Sequence, residues 1–235
     1  MYRVATRWPI GVIPAVMPIW VAAQTLGVPL SYRPVMSGFG AAVDAGGDKG
    51  GFRTIAVTGI VALGHLTVEG SRIALFNLSG TVARVSGESG AASTSVGAEL
   101  SLLGSFAVGV DRSRWAGVSR IYVPLAAALP LVGCADANHI LFVYGVPVWN
   151  FERLQLPAGG TWQPSWGSVN FGALFELRSG LGFQLGVAGL FQRATADPYR
   201  RVVIGAGVHF SPAGILKAAT LSPGEKNHWG CGFAL

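Results

Sequence analysis

Residues 168–192 contain the pattern that decides the fold: SVNFGALFELR, then SG, then LGFQLGVAGLFQ. In the first eleven residues, large apolar side chains occupy every second position, and Ser, Asn, Gly or Glu occupies most of the positions between them. The same alternation resumes after Ser179-Gly180 and recurs at 201–210, RVVIGAGVHF. Because successive side chains of a β-strand point to opposite faces, this predicts three neighbouring strands, each with one apolar face and one small or polar face.

Weaker forms of the same alternation extend through the earlier part of the chain. Together with the three clear segments they predict about ten strands, within a range of about eight to twelve. The earlier segments lie at 39–43, 55–63, 66–85, 94–102, 106–110, 120–129 and 140–152. The segment 66–85 is long for one strand and is interrupted by Glu69-Gly70-Ser71, so it is either one bulged strand or a hairpin.

The connections between these segments alternate in length. Those after the second, fourth and eighth strands are short, at Gly64-His65, Gly104-Ser105 and Ser179-Gly180. Longer, more polar connections follow the odd-numbered strands, at 46–51, 86–91, 111–117, 154–167 and 193–200. Short turns on one side and longer loops on the other are typical of outer-membrane barrels. The sequence therefore predicts an all-β fold, a closed antiparallel transmembrane β-barrel.

The composition agrees with a membrane protein that has no spanning helices. Apolar residues make up 51% of the chain and charged residues 12%, with a mean hydropathy of +0.48; soluble domains have about 25% charged residues. After the first 23 residues, no stretch approaches the roughly 20 consecutive apolar residues that a spanning helix needs. The closed barrel is the other structure that satisfies every backbone polar group in lipid.

The amino terminus has the features of a cleavable Sec-type signal peptide, at 1–23. Arg3 and Arg7 give a positive start, an apolar core follows, and Val21-Ala22-Ala23 offers small residues before cleavage at Gln24. Three prolines inside the core are atypical and argue against a permanent helical anchor. The remaining chain divides into a periplasmic lead-in at 24–36, the barrel at 37–210 and a tail at 211–235.

The last predicted strand, 201–210, resembles the closing strand of outer-membrane barrels, which alternates and ends in an aromatic residue. Gly180-Leu181-Gly182-Phe183 and Val146-Pro147-Val148-Trp149 also resemble segments of the small OmpA- or OmpX-like and opacity-type barrels. This resemblance covers about residues 37–210 and implies a location in the bacterial outer membrane and contact with the assembly machinery. The family's closing aromatic residue usually ends the chain, whereas a tail follows here. That tail is either a periplasmic extension or contributes to closure.

Polar residues on the non-apolar faces are candidates for the barrel lumen. They either line a selective pore or form a packed polar interior, and about ten strands favour a filled or narrow lumen over a wide channel. Arg178 is placed on the same face. The other candidates are Glu99, Arg120, Asn150, Glu152, Asn170, Glu176, Gln184, Arg201 and His209.

No catalytic or cofactor motif is recognisable in the sequence. It contains no nucleophile elbow and no recognisable pair of catalytic carboxylates, so we expect neither an enzyme nor a bound cofactor. The net charge of +6 is scattered rather than gathered in a stripe, which argues against nucleic acid as a partner. The expected partners are outer-membrane lipid and lipopolysaccharide, and the pattern specifies no oligomeric state. The alternative is a secreted soluble β-sandwich or lipocalin-like binding protein.

The two cysteines, Cys134 and Cys231, lie on the same side of the predicted topology. Cys134 falls in the turn predicted at 132–138 and Cys231 in the tail, so a disulfide or two free thiols are the alternatives. Closing a loop of about 100 residues contributes about 4–5 kcal/mol on the entropic account. His139 and His228 would complete a zinc site only if both segments met, and no metal site is predicted.

Overall fold

The computed structural model describes residues 38–49, 51, 53–68, 71–86, 92–102, 106–115, 118–127, 129–135, 138–155, 161–162, 165–192, 200–212 and 230–233. All of its regular structure is β. The strands are β1 Phe39–Gly47, β2 Arg53–Val68, β3 Ser71–Ser86, β4 Ala92–Leu102, β5 Phe106–Trp115, β6 Val118–Ala127, β7 Leu129–Ala135, β8 His139–Gln155, β9 Thr161–Trp162, β10 Ser165–Leu177, β11 Leu181–Gln192, β12 Arg200–Phe210 and β13 Gly230–Phe233. Among the described residues, no helix is long and apolar enough to cross a membrane.

Ten of these strands form a closed antiparallel ring. From β1 to β6 each strand pairs with the next, β6 pairs with β8, β8 with β10, and β10 with β11. The ring closes where β12 pairs with both β11 and β1, with Phe210 opposite Ala41. The sequence-based prediction of an all-β, closed barrel of about ten antiparallel strands is therefore confirmed.

The strand registers set the width of the barrel. Following directly opposed residues once around the ring shifts the starting point by about twelve residues along β1, which is the shear of the barrel. With a rise of about 3.3 Å per residue and a strand spacing of about 4.8 Å, the strands tilt by roughly 40° and the backbone radius is roughly 10 Å. The barrel is therefore narrow enough for side chains to fill much of its interior.

The two ends of the barrel differ. The end that carries the β2–β3, β4–β5, β7–β8 and β10–β11 connections, and also Phe39 and Phe210, is called the turn side; the other end is the loop side. The hairpin at Ser179-Gly180 lies where it was predicted, with Gly180 at φ 88° and its N–H donating to the Leu177 carbonyl at 2.8 Å. The loop predicted at 111–117 is wrong, because β5 continues to Trp115 and only two residues separate it from β6.

The turn predicted at Gly64-His65 is also wrong. Strand β2 runs through both residues to Val68 and pairs antiparallel with β3, which begins at Ser71. Gly64 has a φ of 66°, which glycine adopts readily, and lies inside the strand instead of ending it. The β2–β3 hairpin extends beyond the ends of β1 and β4 on the turn side. In this extension, the described residues of β2 and β3 pair only with each other.

The tail returns to the barrel on the turn side. Strand β7 continues the line of β6 and pairs with the first half of β8, and β13 pairs with β7 outside the closed ring. Strand β7 thus occupies most of the turn predicted at 132–138 and leaves only 136–138 as the connection. Cys134 is disulfide-bonded, and Cys231, the only other cysteine of the chain, lies directly opposite it in the β7–β13 register.

We expect no free thiol in the unreduced protein, because Cys134 is disulfide-bonded and only Cys231 can be its partner within the chain. Unfolded but unreduced protein should take up no maleimide, and two labels per chain should appear after reduction, measured by intact mass. A variant carrying both Cys134→Ser and Cys231→Ser is the control for non-specific labelling. Two labelled cysteines before reduction would show that the bridge does not form.

Candidate functional site: the barrel lumen

The polarity of the barrel wall is inverted relative to a soluble protein. Large apolar side chains face outward and are half exposed, for example Val57 at 55%, Leu185 at 65% and Ile204 at 67%. The residues between them face inward and are small or polar. The buried polar residues are Asp44, Thr54, Thr58, Asn77, Ser79, Thr81, Ser95, Glu99, Ser101, Ser168, Asn170, Glu176, Gln184, His209 and Ser211.

The first polar contact in the lumen joins β10 to β12 across β11. The His209 Nε2 and Glu176 Oε2 atoms are 3.2 Å apart, and both side chains are almost fully buried. Gly182 of β11 lies directly opposite both residues in the register, and a Cβ there would collide with the His209 ring. The glycine therefore leaves the space through which the imidazole reaches a carboxylate two strands away.

The second contact repeats this arrangement one step further along the strands. Gln184 Nε2 of β11 donates to Asp44 Oδ1 of β1 at 2.7 Å, and both side chains are buried. The residue between them in the register is Gly207 of β12, where a Cβ would collide with the Asp44 carboxylate. Two polar pairs thus connect strands that are not direct neighbours, β10 with β12 and β11 with β1. Each pair passes over a glycine of the strand between them.

Bulky side chains complete the turn-side layer of the lumen. The Tyr144 ring of β8 lies over Gly172 of β10, where an added Cβ would be 2.5 Å from the phenolic oxygen. Phe142 and Leu174 are buried beside them, at 2% and 0% exposure. These large residues and the His209–Glu176 pair therefore lie near the same end of the barrel.

The opposite wall carries small side chains. On β2 and β3 the hydroxyls of Thr58 and Thr81, which are directly opposed in register, lie 2.7 Å apart in a hydrogen bond. Ala56 and Ala83 form a small buried cluster next to this pair. Every one of these four side chains is at most 4% exposed, although none is large. An open aqueous channel would leave such lining residues exposed to water, so the lumen is packed at this level.

Some buried polar atoms have no protein partner. Both amide atoms of Asn170 are buried without a hydrogen bond, and so are the hydroxyls of Ser168 and Thr54. Buried polar groups in proteins are nearly always hydrogen-bonded, often to trapped water. These residues therefore mark the part of the lumen where ordered water molecules are expected.

The structure brings several predicted lumen residues together. Glu99, Asn170, Glu176, Gln184 and His209 are all buried, between 0% and 8% exposed. Arg178 instead lies in the turn after β10 and is exposed, because the strand ends at Leu177. The backbones of the remaining candidates belong to β6, β8 and β12, and their side chains lie outside the described residues: Arg120, Asn150, Glu152 and Arg201.

Among the lumen residues that the sequence analysis missed are Asp44 and Tyr144. Asp44 continues the alternation of β1 one position beyond Val43, so extending that strand would have found it. Tyr144 gave no signal, because the first half of β8 is apolar on both faces and its alternation is hidden.

The lumen pairs are placed for structure more than for chemistry. A general base must lie within hydrogen-bond reach of the proton it removes, and the His209 and Glu176 side chains are only 3% and 0% exposed. In the part of the chain that the structure describes, no group of three or more His, Cys, Asp or Glu residues could hold a metal ion. His228, one of the four ligands considered for zinc, lies outside the described residues.

The chain matches no protein-family model and no curated protein sequence.

Proposed function

We propose that this chain is a bacterial outer-membrane protein, exported through a Sec-type signal peptide, whose barrel acts as a structural element or narrow passive pore without catalysis. The observation that carries the proposal is the outward apolar face. On β1 to β4 the directly opposed residues Val43, Val57, Val82 and Val96 form one outward row, each more than half exposed. Apolar surface of this extent is unfavourable in water and suits lipid.

The dimensions support the same proposal. Strand β4 has 11 residues; tilted by roughly 40°, a strand of that length spans about 28 Å. The apolar band of outer-membrane barrels is about 25 Å tall. A strand of this length is therefore long enough to cross the apolar band.

The packed lumen favours the structural alternative over a channel. Open aqueous channels belong to barrels of about 16–18 strands. The lumen here is occupied on the turn side by Phe142, Leu174 and the His209–Glu176 pair, all at most 3% exposed. Any conducting path past them would be narrow.

A soluble binding protein is the second candidate. The closed single ring is inconsistent with a β-sandwich, which leaves a lipocalin-like barrel. Such a barrel packs apolar residues inside and presents polar ones to solvent. The opposite arrangement in this chain supports the membrane proposal.

We expect the mature chain, beginning at Gln24, to be heat-modifiable. Folded barrels in lipid resist unfolding by dodecyl sulfate at room temperature, so the unheated and boiled samples should migrate differently in electrophoresis. The folded form should also float with vesicles in a density gradient. Identical mobility in both lanes, or recovery from the soluble periplasmic fraction without detergent, would count against a membrane barrel and favour the soluble alternative.

A further inference from the structure

Four strands carry an arginine on their outward face near the loop side of the barrel. On each strand the arginine is two residues beyond an outward apolar residue that is about half exposed: Ile55, Val82, Val110 and Phe151. The four residues are called the arginine girdle and are Arg53 on β2, Arg84 on β3, Arg112 on β5 and Arg153 on β8, all exposed. They mark the loop-side edge of the apolar band.

The strand register arranges the girdle as two pairs. Arg112 lies opposite Ile121 of β6, which lies opposite Arg153, so these two arginines are two strand spacings apart, about 10 Å. Arg84 lies opposite Ile55, and Arg53 is its diagonal neighbour, at about 7–8 Å. Each pair can therefore contact two acceptors that are several ångströms apart.

No described side chain of the barrel wall neutralises the charge of the girdle. No ion pair or side-chain hydrogen bond joins these four guanidinium groups to another described residue. The carboxylates of Asp44, Glu99 and Glu176 are buried on the other face of the wall. Exposed guanidinium groups at the edge of an apolar band can bind anions from the surroundings.

The turn side has no equivalent girdle among the described residues. The outward residues that end the apolar band there are mainly phenylalanine and leucine: Phe39, Leu102, Phe106, Phe183 and Phe210. Among the described residues, the loop-side edge of the apolar band therefore carries positive charge and the turn-side edge is apolar. In a membrane the two edges would lie in different leaflets.

We propose that the arginine girdle binds the phosphate groups of a bisphosphorylated glycolipid in the leaflet on the loop side. The proposal rests on the membrane function proposed above. Guanidinium groups bind phosphate in bidentate fashion, and long arginine side chains keep their charge at the interface while their stems cover apolar surface. The two guanidinium donors in each pair suit a headgroup with two separated phosphates better than a headgroup with one.

The test measures lipid retention by native mass spectrometry of the detergent-purified barrel. The added lipids are bisphosphorylated lipid A, dephosphorylated lipid A and phosphatidylglycerol. Wild type should retain the bisphosphorylated glycolipid in preference to the other two. The double variant Arg112→Gln/Arg153→Gln should bind it roughly 30-fold more weakly, since each basic side chain near a charged headgroup contributes about a fivefold factor and the two factors multiply.

A matched variant, Lys49→Gln/Arg178→Gln, removes two positive charges from a loop and from the turn side, where both residues are exposed. It should bind the glycolipid as wild type does. Equal weakening in both double variants, or no weakening in either, would overturn the assignment to the girdle. Equal retention of phosphatidylglycerol would overturn the choice of glycolipid. Loss of heat-modifiability in wild type would instead refute the membrane function itself, so the two failures are distinguishable.

Discussion

The variant Gly182→Val should destabilise the barrel by about 3 kcal/mol or more. A Cβ at this position would collide with the imidazole of His209, so the ring must leave the space over β11 and lose its contact with Glu176. Both partners would remain inside the wall without each other, and breaking a buried pair is costly. The measurement is urea unfolding in lipid vesicles, followed by the fraction of heat-modifiable protein.

Gly59→Val is the matched control. Gly59 lies on the outward face of β2, and no atom lies within 4 Å of a Cβ added there. This variant should be at least as stable as wild type, because a β-branched residue suits a strand better than glycine does. Similar unfolding midpoints for the two variants would mean that the His209–Glu176 contact between β10 and β12 does not stabilise the barrel.

Val57→Arg should destabilise the barrel by about 2–4 kcal/mol in a membrane, since that is the cost of a basic residue on the lipid face at the midplane. Val57 lies in the middle of the outward valine row, between Val43 and Val82. In water the same substitution at an exposed site would change stability by only about 0.5 kcal/mol or less. The loss of stability that Val57→Arg causes in vesicles therefore shows whether lipid or water surrounds the outer face of the barrel.

Leu66→Arg provides the comparison for this substitution. Leu66 is also exposed, at 42%, but lies in the β2–β3 tip that extends beyond the neighbouring strands on the turn side. We expect little loss of stability there. Equal effects at Val57 and Leu66 would contradict an apolar environment limited to the barrel wall.

Strands were predictable where each face keeps one chemical character. The predicted segments 168–178, 181–192 and 201–210 agree with β10, β11 and β12 to within a few residues. At β5 the run Asp111-Arg112-Ser113-Arg114 resembled a polar loop, because the alternation becomes charged where the strand leaves the apolar band. At Gly64 a local signal for a turn was overridden by pairing with β3, which continues on both sides of it.

The polar pairs of the lumen could be predicted only in part. Alternation assigned Glu176, Gln184 and His209 to one face, which is a property of each strand alone. Their partners depend on which residues meet across two strands, and therefore on the registers of β10, β11, β12 and β1 together. Gly182 leaves the space that the His209 side chain of the next strand occupies. This role depends on the same registers, and no local sequence pattern encodes it.

The pairing of β1 with β12, which closes the ring, also determines the order in which the strands of the barrel can pair. Its partners Ala41 and Phe210 are about 170 residues apart, so the ring closes through a contact of very high sequence separation, which slows folding. The β2–β3 and β10–β11 hairpins need only local contacts and can form as soon as both of their strands are available. Until β12 pairs with β1, the free edge of β1 is a template for pairing with other chains. A chain truncated before β12 therefore keeps two open edges, and only the pairing of the last strand of the ring removes both of them.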